Sequence, residues 1–165
     1  MTESKRLFSY QERLDYFNEG YEVKLDFKDK IIDLTHCKRY SDTHGPIYLN
    51  KDISRIYFNN CTDLYLPSMS VKLSELRPKM KNLKRLYIHN SRIRTLRLDP
   101  SFFQNLELLS LVNNNIHTYN DIKDFVSNVP RLKKIILDNN PIKTNVTYLP
   151  ELNKIKRLYK HLKVV

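Results

Sequence analysis

The chain has 165 residues, with 29 lysines and arginines against 18 aspartates and glutamates, so its formal net charge is +11 at pH 7. This length fits one domain, and the excess of positive charge favours anionic partners. The sequence contains no apolar run of about 18 residues that would span a membrane, and its first residues lack the apolar stretch of a secretory signal. We therefore expect an intracellular protein, cytoplasmic or nuclear, that does not contact membranes.

The first 28 residues predict a cap. Ser9 and Glu12 have the spacing of a capping box, in which each side chain accepts a hydrogen bond from a backbone amide at the start of a helix. Apolar residues then recur at helical spacing as far as Gly20, which is a typical stop. Alternating apolar and charged residues from 21 to 27 predict a half-buried strand, which a turn at 28–30 leads back toward Leu34. We expect this helix-hairpin cap, residues 1–28, to cover the first open edge of a sheet.

A repeated apolar pattern then occupies most of the chain. Apolar residues fall at offsets 0, 3, 5 and 10 of each unit, and Asn or Cys falls at offset 8. The clearest units are Leu83-x-x-Leu86-x-Ile88, Leu106-x-x-Leu109-x-Leu111-x-x-Asn114-x-Ile116 and Leu132-x-x-Ile135-x-Leu137-x-x-Asn140-x-Ile142. Upstream we place Ile53-x-x-Ile56-x-Phe58-x-x-Cys61, and a weaker first unit from Asp29 to Cys37. Offsets 3 and 5 point the same way along a strand, so each unit predicts one short strand facing a shared core.

The residue at offset 8 is expected to stabilise the turn that follows each strand. An Asn amide there pairs with backbone groups that would otherwise be buried without partners. Cys37 and Cys61 are placed at this offset of adjacent units, and adjacent strands bring Cα atoms within disulfide range. We expect free, buried thiols instead of a bridge, because an intracellular compartment is reducing.

The segments after the strands differ in their predicted structure. Ile122, Phe125 and Val129 recur at helical spacing, which predicts a helix before the unit that begins at Leu132. The final segment, residues 149–165, fits either an amphipathic basic helix or a strand from Leu158 to Val165. Periodicity does not separate these two alternatives.

The pattern resembles the leucine-rich repeat superfamily. Asn140-Pro141-Ile142 followed by Leu149-Pro150-Glu151-Leu152 is also similar to the C-terminal cap of spliceosomal A-prime-type and phosphatase-regulator-type members of the short intracellular class. The resemblance implies an α/β fold, a right-handed horseshoe solenoid with a parallel concave sheet. Its repeats would cover residues 29–148, between the N-terminal cap and a short, basic C-terminal capping unit at 149–165.

The sequence predicts no enzyme activity, no cofactor and no metal site. Catalysis needs reactive groups that converge in a pocket, whereas a solenoid sheet offers a broad groove. The nearest metal-like group is His36 and Cys37 beside Cys61 and His89. The histidine at 89 is expected to face outward and both cysteines inward, so these side chains would not meet at one ligand point.

The concave face is the predicted binding surface. Offsets 2, 4 and 6 face outward there, and two units present an Arg-x-Tyr pair. Arginine and tyrosine are enriched at interface hot spots. We predict a protein partner with these contact residues: Arg55, Tyr57, Arg85, Tyr87, His89, Leu108, Val112 and Ile136. The alternative is that the tyrosines only stack across the strands and stabilise the sheet, and both interpretations can hold together.

Two basic clusters outside the concave face predict anion binding. The candidate residues are Arg92, Arg94, Arg97, Lys156, Arg157 and Lys160. They favour weak nucleic-acid binding and leave open an RNA-associated adaptor. The excess of Asn, Lys, Ile and Tyr is also typical of AT-rich genomes, such as those of parasites and large DNA viruses. A third hypothesis is therefore an effector that binds a host signalling or ubiquitin-pathway protein. We expect a monomer.

Overall fold

The computed structural model describes residues 29–34, 60–66 and 81–165. These residues contain a six-stranded sheet in which every neighbouring pair is parallel and the strands follow chain order. The strands are β1 (Ile31–Asp33), β2 (Asp63–Leu66), β3 (Arg85–Ile88), β4 (Leu108–Ser110), β5 (Lys134–Ile136) and β6 (Lys163–Val164). Each unit whose strand the structure describes therefore adds that strand beside the strand before it.

Short helices connect the later strands. Helix α1 (Lys123–Asn128) precedes β5, and α2 (Pro141–Thr144) and α3 (Leu149–Leu158) lie between β5 and β6. The predicted helix in the 122–129 segment is confirmed as α1. Among the described residues, 3₁₀ turns lie at Pro100–Phe103, Tyr119–Asp121 and Val146–Tyr148. Every helix in the part of the chain that the structure describes is too short or too polar to cross a membrane.

Apolar side chains form continuous rows beneath the sheet. Alternation along each strand points every second side chain into the core, and the parallel register places equivalent positions side by side. All members of these rows are at most 2% exposed: at offset 0 Cys61, Leu83, Leu106 and Leu132, at offset 3 Ile32, Leu64, Leu86, Leu109 and Ile135, and at offset 5 Leu34, Leu66, Ile88, Leu111 and Leu137. Burial of one such leucine or isoleucine contributes about 1.5 to 3 kcal/mol, so these rows are the main stabilising element of the fold.

Asparagines at offset 8 stabilise the turns, as predicted. The Oδ1 atom of Asn114 accepts hydrogen bonds from the backbone amides of Ser91 and Ile93 at 3.1 and 3.0 Å. Its Nδ2 atom donates to the carbonyl of Ile88 at 2.7 Å. Asn140 repeats this arrangement one unit later, where its Oδ1 accepts from a backbone amide at 3.0 Å and its Nδ2 donates to a carbonyl at 2.7 Å. One amide side chain thus links two consecutive units and satisfies backbone groups that burial removes from water.

The strand beside β3 differs from the one that the sequence pattern predicts. That pattern places a unit at 53–61, but β2 pairs with β1 on one side and with β3 on the other. The unit of β2 begins at Cys61, so this residue holds offset 0 of its unit and not the predicted offset 8. Its side chain is fully buried. Residues 53–59 lie outside the described part of the chain. The prediction that their unit neighbours β3 is wrong.

The final segment contains shorter forms of both alternatives that the sequence left open: the helix ends at Leu158, where the predicted strand would begin, and the strand covers only Lys163–Val164. Helix α3 buries Leu152 and Ile155, and β6 follows it and pairs with β5. Leu162, between them, is 6% exposed. The N-terminal cap predicted at 1–28 and Cys37 lie outside the described residues. That cap, the horseshoe shape and the capping role of residues 149–165 stay predictions.

Candidate functional site

The face of the sheet opposite the core carries most of the predicted contact residues, and we call it the outer face. Side chains alternate along a strand, so the positions between the core rows point here. Its members in the described ranges include Ile31, Asp33, Asp63, Tyr65, Arg85, Tyr87, His89, Leu108, Ser110, Val112, Lys134, Ile136, Asp138 and Lys163.

Asp63 and Tyr65 hold the positions that the sequence pattern gave to Arg55 and Tyr57. The register pairs Asp63 with Arg85 and Tyr65 with Tyr87. This register makes the prediction that Arg55 and Tyr57 lie directly beside Arg85 and Tyr87 wrong. Arg55 and Tyr57 themselves lie outside the described residues. The corrected neighbours change the electrostatics, because two adjacent arginines would repel, whereas an aspartate beside an arginine attracts it.

An ion pair joins β2 to β3 across this face. The Nε atom of Arg85 donates to Oδ1 of Asp63, and its Nη2 atom donates to Oδ2 at 3.0 Å. The hydroxyl of Thr62 also donates to Oδ2, at 2.7 Å. The Asp63 side chain is only 5% exposed, whereas that of Arg85 is 51% exposed. The hydrogen bond from Arg85 keeps the pKa of Asp63 below its ordinary value. The carboxylate therefore fixes an arginine that remains accessible from solvent.

Two tyrosines stack beside this ion pair. The ring centroids of Tyr65 and Tyr87 are 4.0 Å apart and the ring planes differ by 2°. The rings of His89 and Tyr87 meet edge to face, with a centroid distance of 6.0 Å and an angle of 84° between their planes. Burial, together with a hydrogen bond to Tyr65, raises the pKa of Tyr87 to about 12, so its hydroxyl is uncharged at neutral pH. The three rings give the outer face a rigid aromatic centre.

His89 also links this centre to the next strand. Its Nε2 atom lies 2.7 Å from the hydroxyl oxygen of Ser110, within hydrogen-bond distance. Partial burial keeps the pKa of His89 below its ordinary value. The neutral ring is therefore favoured, and the hydrogen bond fixes its orientation.

An apolar patch adjoins the aromatic centre. It consists of Leu108, Val112 and Ile136, which are all half-buried. Lys134 lies opposite Leu108 in the sheet register, and Asp138 forms an ion pair with Lys143 at the far end. The patch is therefore partly covered by its own neighbours and bordered by charged groups.

The two predicted basic clusters belong to different units. The arginines at 92, 94 and 97 are exposed in the segment that follows β3, and Arg92 has a positive φ of 53°. Lys156 and Arg157 are exposed on α3, and Lys160 is exposed just after it. They are therefore two separate clusters along the stack of units.

The described ranges contain no group of three or more His, Cys, Asp or Glu side chains arranged to hold a metal ion. His36 and Cys37 fall outside them. The thiol of Cys61 donates to the carbonyl oxygen of Asp63 at 3.1 Å, and burial raises its pKa to about 12. Cys61 is a buried free thiol that remains protonated at neutral pH.

No family model and no curated protein sequence matches the chain. Among solved structures, the chain is similar to a leucine-rich repeat protein of Leptospira interrogans, with 18% sequence identity over 70% of this chain and a TM-score of 0.45. The chain spans 33% of the length of that protein. The resemblance to the short intracellular class stays a prediction. With one parallel strand per unit, continuous apolar rows and paired turn asparagines, the chain has a leucine-rich repeat fold.

Proposed function

We propose that the chain is a non-enzymatic interaction module that binds one protein partner on its outer face. The observation that carries this proposal is the arrangement of Arg85, Tyr65 and Tyr87. The arginine is held by Asp63 yet half exposed, and the tyrosines form a parallel stack at 4.0 Å beside it. Anchors of these types contribute most of the binding energy in protein interfaces.

Preorganisation supports the same proposal. An exposed arginine or tyrosine normally loses rotamer freedom when it binds, at a cost of about 0.5 to 1.5 kcal/mol per side chain. Here the Asp63 carboxylate and the ring stack already restrict these side chains. Binding at this surface would therefore lose less entropy than binding at a mobile one.

The chemistry of the face suggests the chemistry of the partner. A guanidinium group has five N–H donors, of which Asp63 receives two, so Arg85 retains donors for an acidic partner group. Lys134 adds a second positive charge next to Leu108. We propose a partner surface that places a carboxylate against Arg85 and an apolar side chain on the patch of Leu108, Val112 and Ile136.

The experiment starts with identification of the partner by affinity capture and mass spectrometry, followed by calorimetry on the purified pair. The Tyr65→Ala, Tyr87→Ala, Arg85→Gln triple variant is expected to weaken binding by about 2 kcal/mol or more, because it removes all three anchors. The Lys123→Gln variant, at an exposed position of α1, removes the same charge and serves as the control. Unchanged affinity of a folded triple variant would refute the proposal.

A second candidate function rests on the exposed arginines at 92, 94 and 97. An RNA-associated adaptor would bind through such side chains, and its affinity would fall steeply with salt as counterions are released. Simultaneous replacement of the three arginines by glutamine would then abolish binding to RNA. The effector hypothesis is a special case of the first proposal, in which the captured partner is a host protein. In either case we propose a monomer.

A further inference from the structure

A groove of about 630 Å³, lined by polar and charged residues, lies where the parallel strands begin. We call it the amino-end groove. It extends from Lys30, just before β1, to Arg131, in the turn before β5. It is distinct from the outer face, because its lining residues precede the strands, whereas the outer-face residues lie on the strands or follow them. Nothing in the proposed function uses it.

The backbone carbonyls directly before β1, β2 and β3 are already paired. The carbonyl of Lys84 accepts hydrogen bonds from the amides of Glu107 and Leu108 at 2.8 and 3.0 Å. The carbonyls of Lys30 and Thr62 each accept two amides of the next unit in the same way. A ligand in the groove must therefore be recognised by side chains.

One row of those side chains consists of carboxamides. Asn60, Asn82 and Asn105 occupy the equivalent position of three consecutive units and all line the groove. Neighbouring parallel strands are about 4.8 Å apart, so the three carboxamides form a row that crosses the strands. Asn105 donates to the carbonyl of Lys81 at 2.7 Å, which fixes the orientation of its amide. A carboxamide both donates and accepts, as does each peptide group of an extended chain.

Positive charge comes from two positions. Lys30 and Lys84 lie directly before their strands, and Arg131 continues the carboxamide row into the next unit. All three side chains are exposed. The carboxylate in the groove, Glu107, accepts a hydrogen bond from Lys133 at 2.9 Å. Lys133 keeps the pKa of Glu107 below its ordinary value, and the charges of Lys84 and Arg131 lower it further. The groove therefore has an excess of positive charge, and the acid within it is already neutralised.

We propose that the amino-end groove binds an extended acidic peptide segment, with its backbone against the carboxamide row and its carboxylates against Lys30, Lys84 and Arg131. Single-stranded nucleic acid fits this groove less well. Sequence-tolerant binding of bases uses aromatic side chains as stacking surfaces, and the described residues that line the groove include no aromatic ring. The four intervals between β1 and β5 span about 19 Å, which an extended peptide crosses in about six residues.

The test uses a fluorescein-labelled peptide of alternating glutamate and serine, about eight residues long so that it exceeds this span, and measures fluorescence anisotropy. The Lys84→Glu variant is expected to bind the peptide at least about tenfold more weakly than the wild type. The control is Lys123→Glu on α1, an exposed position outside the groove that changes the net charge equally. We expect its affinity to stay within about twofold of the wild type, because Lys123 does not line the groove and salt screens exposed charges. An equal loss in both variants would overturn the proposal.

Two further measurements address the carboxamides and the class of ligand. The Asn82→Ala variant is expected to bind the peptide about fivefold more weakly, whereas Asn153→Ala, at an exposed position of α3, is expected to bind as the wild type does. Unchanged binding by Asn82→Ala would show that charge alone holds the peptide and would overturn recognition by the carboxamide row.

Oligothymidylate of equal charge is expected to displace the peptide only at higher concentration. Displacement at an equal or lower concentration would favour nucleic acid and overturn the proposal.

Discussion

The aromatic rings of Tyr65 and Tyr87 lie parallel, with their centroids 4.0 Å apart, directly across two neighbouring strands. The same pair therefore stabilises the sheet and forms the centre of the proposed binding surface. These two roles are separable by experiment, because the first acts on the isolated chain and the second requires a partner.

The stabilising role predicts a coupling between the two tyrosines. Tyr65→Ala and Tyr87→Ala should each lower the free energy of unfolding, and their effects should be non-additive by about 0.5 to 1.5 kcal/mol, the usual contribution of an aromatic pair. Urea denaturation of the wild type, both single variants and the double variant gives this coupling energy. Strictly additive effects would mean that the stack contributes no stability.

The ion pair between Asp63 and Arg85 predicts a shift in acid unfolding. The pKa of Asp63 is lowered in the folded state, so its stabilisation is present above the unfolded pKa and is lost as pH falls through the folded pKa. Arg85→Met removes the cation that pairs with Asp63, and the Asp63 side chain is only 5% exposed. The pKa of Asp63 should then rise, and the acid midpoint followed by circular dichroism should move to higher pH. The exposed control, Arg94→Met, should leave that midpoint unchanged; an equal shift in both variants would contradict this prediction.

Burial of Cys61 predicts an unreactive thiol. Burial raises the pKa of the Cys61 thiol from 9.0 to about 12. The contribution of this protonated thiol to the free energy of unfolding is therefore present below pH 9 and is lost as pH rises through 12. In a Cys37→Ser background, a thiol reagent at mildly alkaline pH should modify Cys61 only after addition of denaturant. Rapid modification of the native chain would show that Cys61 is accessible.

Replacement of the turn residue Asn114 should lower the free energy of unfolding substantially. Asn114→Leu leaves the amides of Ser91 and Ile93 buried without their acceptor, at a cost of about 1 to 3 kcal/mol. The control is Asn115→Leu, because Asn115 is exposed and pairs through its backbone amide, which the substitution keeps. Chemical denaturation of both variants measures the difference. Equal stability of the two would show that the turn asparagine contributes nothing specific.

Some residues of the outer face could be predicted from the repeat spacing, and others could not. Arg85, Tyr87, His89 and Leu108 could be named from their offsets alone, because their strands follow the repeat pattern. Asp63 could not, although Asp63-Leu64-Tyr65-Leu66 has the same alternation as Arg85-Leu86-Tyr87-Ile88. That likeness was the available signal, since Asp63 and Arg85 are 22 residues apart, which is a usual length for this repeat.

The sequence alone determined the repeat, the strands β3, β4 and β5, helix α1 and the turn asparagines, because spacing along the chain directly sets which side chains share a face. The tertiary structure alone decided which candidate strand lies beside β3, since Ile53-x-x-Ile56-x-Phe58 and Cys61-x-x-Leu64-x-Leu66 have equivalent apolar spacing. It also decided that residues 149–165 contain both a helix and a strand. Strand pairing depends on backbone groups far apart in sequence, and a local apolar pattern does not contain that information.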